Sequence, residues 1–185
     1  MRNLLTSILI SILFVSCGGS GTGNNANSNN TETSQSSISK TPKTKWAYRD
    51  QVDEMTDSKT YYAQIEAEDE MEFSFPYNGG TKVWLIIRKS DSKEEVLLSI
   101  SKNKGQFMPN VLDDRSVLVR FDDKTAEKYG YTEPSDFSSE TIFIKNPKKF
   151  IDNLKASQKI IVQCDFFNEG TRTIKFDTQG FEWNH

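Results

Sequence analysis

Of the 21 aromatic residues in this 185-residue chain, only Phe14 lies before Trp46, so the side chains able to build a core are confined to residues 46–185. A stretch of about 140 residues can bury roughly two-thirds of its unfolded surface in one core without disulfide staples. Cysteine usage agrees, since Cys17 and Cys164 are the only two, and modification of the first would leave no intramolecular pair. Cys164 falls in the alternation Ile160, Val162, Cys164, Phe166, which places it as a small buried hydrophobe and not as a reactive thiol.

The first 45 residues have a different logic. Arg2 supplies a positive start, Leu4 to Val15 an apolar run, and small Ser16 precedes Cys17, in the order of a bacterial lipoprotein signal. As a helix that run would span about 18 Å, short of the ~30 Å hydrocarbon core, so a removed signal is expected and not a permanent span. Lipoprotein signals usually carry Leu three places before the cysteine; here Leu13 is one place early, with Phe14 and Val15 following. An ordinary secretory signal cut between Ser16 and Ser20 is the alternative. Acylated Cys17 would anchor the chain to a membrane through lipid, and Gly18 in place of Asp after it fits the sorting rule for the outer membrane.

From Gly18 to Lys45 the chain is rich in Gly, Ser, Asn and Thr, with only Ala26 and Ile38 as apolar side chains, too few to fold. As a coil it would reach about 30 Å. The expected division is therefore a signal peptide at 1–16, lipid anchor and linker at 17–45, and a globular domain at 46–185. That domain carries 19 Lys and Arg against 25 Asp and Glu, net −6, which argues against nucleic acid as a partner.

Within the domain, short alternating runs separated by turn residues predict an all-β, mainly antiparallel fold, a sandwich or barrel. Strands are expected over Trp46–Arg49, Thr60–Ala67, Met71–Phe75, Thr81–Arg88, Glu94–Ser101, Ser116–Phe121, Thr141–Lys145, Lys159–Phe167 and Thr171–Asp177. Asn78-Gly79-Gly80 reads as a hairpin turn, and Gly170 as a left-handed turn residue. Lys89–Lys93 reads as a turn, and Asp122–Ser139 as a long polar loop. One helix is expected near residues 147–157, with Asn146 as cap, Pro147 at its first position and Phe150, Ile151 and Leu154 on the packing face.

The inventory of catalytic side chains is thin. His185, the only histidine, sits at a C-terminus expected to fray, which leaves nucleophile–histidine arrangements without a base. No zinc, calcium or phosphate-loop pattern occurs, so no metal and no cofactor are expected. Carboxylate pairs at Asp113-Asp114, Asp122-Asp123 and in Glu66–Glu72 keep acid–base hydrolysis formally open, although turn-forming Asp is the plainer reading. Arg88 and Arg120 each close an apolar strand, and by period two Arg120 shares a strand face with Asp122. These three are the candidate binding residues, against a plainer reading as a partly buried, charge-paired rim.

An early tryptophan, an apolar strand ending in Arg88, Val119-Arg120-Phe121-Asp122, the Phe150–Leu154 helix and a closing Phe176-Asp177 with Gly180-Phe181 together resemble the small β-rich envelope proteins of the TagO/VasI type, associated with type VI secretion. Similar lipoproteins occur in Bacteroidetes and prophages. The resemblance spans Trp46 to Trp183 and implies a non-enzymatic accessory or binding role toward an envelope protein or an incoming phage component. A carboxylate-dependent cell-wall or glycan hydrolase and a prophage superinfection-exclusion lipoprotein are the alternatives.

Overall fold

The computed structural model describes residues 44–91, 93–110 and 112–185. The signal segment, Cys17 and nearly all of the linker lie outside the described residues. Nine strands and one helix follow in order: β1 Ala47–Val52, β2 Lys59–Glu66, β3 Val83–Ser90, β4 Lys93–Ile100, β5 Ser116–Phe121, β6 Glu127–Thr132, β7 Thr141–Ile144, α1 Pro147–Lys155, β8 Lys159–Phe166 and β9 Gly170–Asp177. All pairings are antiparallel, in the spatial order β1-β2-β3-β4-β7-β6-β5-β8-β9. The fold is thus all-β with one short helix, as the alternating runs predict.

The sheet curls around a single core. Alternate residues of β2 to β9 point inward, Leu85, Val119, Ile160 and Phe166 among them, and they join the helix residues Phe150, Ile151 and Leu154 in one buried cluster. Phe150 packs edge-on against Phe121 and Tyr129, with ring centroids 5.3 and 5.4 Å away, fixing α1 over the β5–β6 side. The far end of the sheet is drawn back to its start. Glu68 N donates to Lys175 O at 2.9 Å, Trp46 Nε1 donates to Thr178 O at 3.2 Å, and Lys45 Nζ lies 3.0 Å from Asp177. Thr44 Oγ1 also donates to Gln179 O, so the folded domain begins before Trp46 and takes in two residues expected in the linker.

Four further expectations are corrected. Residues 127–132, expected in a polar loop, form β6, which pairs with β5 and β7. Met71–Phe75 is no strand: only Met71 bridges to Thr81, and the chain between them turns through Gly79 and Gly80 at positive φ. Asn146 does not cap α1 with its side chain, because its own backbone is left-handed at φ 57. His185 does not fray but stacks on Tyr61, with centroids 3.9 Å apart, at the end of a C-terminal strap that buries Trp183. Gly170 does take the left-handed position, at φ 69. Cys164 is buried, and its loss of hydration pushes the thiol far above its ordinary range, which suppresses thiolate chemistry.

Candidate functional site

The turn between β3 and β4 decides the local geometry. Its two residues, with Asp91 at positive φ 43, make a tight hairpin shorter than Lys89–Lys93. That register sets Arg88 directly opposite Glu95. Tyr62 faces Arg88 from the other side and Arg49 faces Tyr62, so Arg49, Tyr62, Arg88 and Glu95 form one row across the outer face of four strands. The Arg49 guanidinium lies 4.4 Å above the Tyr62 ring.

Glu95 is the hub of this row. Among the described residues it is the one charged residue that is buried, 8% exposed, and Arg88 reaches its Oε2 through both Nε, at 2.6 Å, and Nη2, while Lys93 Nζ meets Oε1 at 2.6 Å. Burial pushes the Glu95 carboxyl up; hydrogen bonds and charge from Lys93 and Arg88 overcome this and hold it below the usual carboxylate range. The Arg88 guanidinium also sits 5.7 Å from the Phe143 ring.

Beside the pair lies an open groove of about 540 Å³, floored by Arg88, Glu95 and Phe143 and walled by residues 132–136 and Pro147. Its apolar side continues into the next row of the sheet, Ile86–Leu97–Phe143, where Leu97 is buried although it points away from the core. The charges around it are engaged: Lys145 Nζ holds Asp113 at 2.5 Å, Glu133 accepts Asn110 N, and Asp136 accepts Ser138 N.

Arg120 and Asp122 are elsewhere. β3 and β5 are separated by β4, β7 and β6 in the sheet, so Arg88 and Arg120 do not form one site. Strand β5 stops at Phe121, and Asp122 turns away at φ 49, which removes it from the face of Arg120. Its Oδ1 instead accepts both Gln158 N and Lys159 N at 3.0 Å, tying the start of β8 to the end of β5. Arg120 is exposed, not half-buried, and its Nε donates to the Asp122 backbone carbonyl at 3.1 Å. Arg120→Ala should therefore change stability by no more than about 1 kcal/mol, and Asp122→Ala, which strands two backbone donors, should lose about 1–3 kcal/mol. Urea midpoints of the two variants check this, and equal midpoints would contradict the assignment.

Three carboxylates of the Glu66–Glu72 run are also held in ion pairs. Glu66 and Glu70 meet Lys82, and Glu68 meets Lys45. Among the described residues no group of three or more His, Cys, Asp or Glu side chains is placed to hold a metal ion. Glu95, Lys93 and Phe143 are site residues that sequence reasoning missed; a two-residue reading of the Asp91 turn would have paired Arg88 with Glu95. Comparison with known protein families, curated proteins and solved structures finds no match to this chain. What the fold and groove define is a class: a curled all-β domain with a charge-lined outer groove.

Proposed function

We propose that the chain is a lipid-anchored extracytoplasmic binding or accessory protein of the bacterial envelope, held at the outer membrane by acylated Cys17. The observation that carries this reading is the order Arg2, apolar Leu4–Val15, Ser16, Cys17, followed by a polar spacer and a single β domain. The groove beside Arg88 supports the binding half of the proposal, and the resemblance to TagO/VasI-type proteins supports an accessory role. Against a hydrolase built on the Asp113-Asp114 or Asp122-Asp123 pair stands the engagement of one member of each, since Asp113 is paired with Lys145 and Asp122 is taken up by two backbone amides.

Cys17→Ser should abolish anchoring while leaving the domain folded, because no buried side chain of the core lies before Trp46 among the described residues. In detergent phase partitioning the wild type is expected in the detergent phase and the variant in the aqueous phase once its signal is cleaved. Aqueous partitioning of both would overturn the anchor.

A further inference from the structure

Antiparallel order places the β2–β3, β4–β5, β6–β7 and β8–β9 connections at the same end of the sheet. They are tied into one rim. Ser74 N donates to Glu169 Oε1 at 2.8 Å, Phe167 N to Gln106 O at 2.9 Å and Phe107 N to Ser139 O at 2.8 Å, and Asn110 N to Glu133 Oε1 at 2.5 Å. Beneath it, Phe73 and Phe107 pack on Phe166 and close the core.

Above that seal, each connection turns an apolar side chain outward. Phe75 is 89% exposed, Leu112 81% and Phe137 86%, with Phe167 at 42%. Single exposed hydrophobics are ordinary; here one stands on each of four connections that are hydrogen-bonded together at one end of the sheet. The same four connections, residues 67–82, 101–115, 133–140 and 167–169, contain ten Asp and Glu against four Lys and Arg. Their net −6 equals that of the whole stretch 46–185, so the remainder balances to zero. Among the described residues, Asp69, Glu72, Asp114 and Asp136 are exposed and form no ion pair with a basic side chain.

We infer that this acidic, aromatic rim is the docking surface for a cationic protein that presents apolar side chains between its basic ones. Charge complementarity selects that occupant. A second copy docking rim to rim would oppose like charges, and so would a bilayer of anionic lipid. The inference deepens the binding role proposed above by naming the partner's chemistry, and it stands on the rim, not on the anchor.

The test uses residues 18–185, which contain every buried side chain described and lack Cys17, so failure of the anchor and failure of the rim are separable. The probe is a fluorescent peptide of lysine and leucine, compared with lysine–serine and glutamate–leucine peptides and with phosphatidylcholine vesicles. The lysine–leucine peptide should bind best, weaken as salt rises, and perturb amide resonances of the four connections. The triple variants Phe75→Ser/Leu112→Ser/Phe137→Ser and Asp69→Asn/Glu72→Gln/Asp136→Asn should each weaken it at least about tenfold at unchanged melting temperature. Equal binding of the lysine–serine peptide, undiminished binding by either variant, or binding to the vesicles in preference to the peptide would overturn the inference.

Discussion

Gly105→Ala is expected to lose about 3 kcal/mol or more, since overpacking and a forced backbone each cost about 1–3 kcal/mol. Gly105 is buried at φ 143, and a Cβ there would lie 2.5 Å from Phe73 Cε2, 2.8 Å from its Cδ2 and 3.3 Å from Ile100 Cδ1. Phe73 has little room to retreat, because its ring already packs 5.1 Å from that of Phe166. The melting temperature should fall by about 6–12 °C for a chain of this size. Gly170→Ala is the control: its φ is 69, but nothing lies within 4 Å of the added carbon. It meets only the backbone term, about 1–2 kcal/mol. Equal losses in calorimetry would show that the contact with Phe73 is not what demands glycine at position 105.

Arg88→Ala should be more damaging than Glu95→Ala, although both break the same pair. The Glu95 side chain is 9% exposed and that of Arg88 32%, so losing Arg88 leaves a buried carboxylate with Lys93 alone, whereas losing Glu95 leaves a guanidinium that water can reach. About 2–3 kcal/mol is expected for the first and about 1–2 kcal/mol for the second, below the full cost of a deeply buried pair. Acid provides a second readout. Because the Glu95 carboxyl is held below its ordinary value of 4.5 in the folded chain, its contribution is full above that value and is lost as the pH falls through the lowered one. Wild type should accordingly lose its advantage over Glu95→Gln on acidification from about pH 7 to about pH 3. In Arg88→Ala the loss should begin at higher pH, since burial is then less opposed. Urea midpoints along the titration check both ordering and direction; a constant wild-type advantage across that range would refute the role given to Glu95.

Strands with clean alternation were legible. The strands expected at Thr81–Arg88 and Lys159–Phe167 are found at Val83–Ser90 and Lys159–Phe166, because Val83, Leu85 and Ile87 in one and Ile160, Val162, Cys164 and Phe166 in the other face inward at every second residue. β6 was not, because Glu127–Thr132 offers only Tyr129 and Tyr131 as buried positions and carries Gly130 between them. Glycine in a strand interior usually signals a weak strand; here an added Cβ would press on the Lys145 stem at 3.2 Å, a tertiary reason invisible to local pattern. The candidate site was half legible. Arg88 stood out as a charge ending an apolar run, but its partner depended on hairpin register, and a turn read three residues too long hid Glu95. Asp122 misled for a related reason: period-two reasoning holds only while the strand lasts, and β5 ends one residue earlier. The rim could not be read at all, since it assembles residues from four connections spread between 67 and 169.

The most direct test of the proposed envelope role is the intact mass of the protein extracted from membranes of the cells that make it. A chain beginning at Cys17, with its mass raised by a diacylglyceryl group on the sulfur, is the predicted result. A chain that begins elsewhere between Ser16 and Ser20, or a mature Cys17 carrying no lipid, would contradict it.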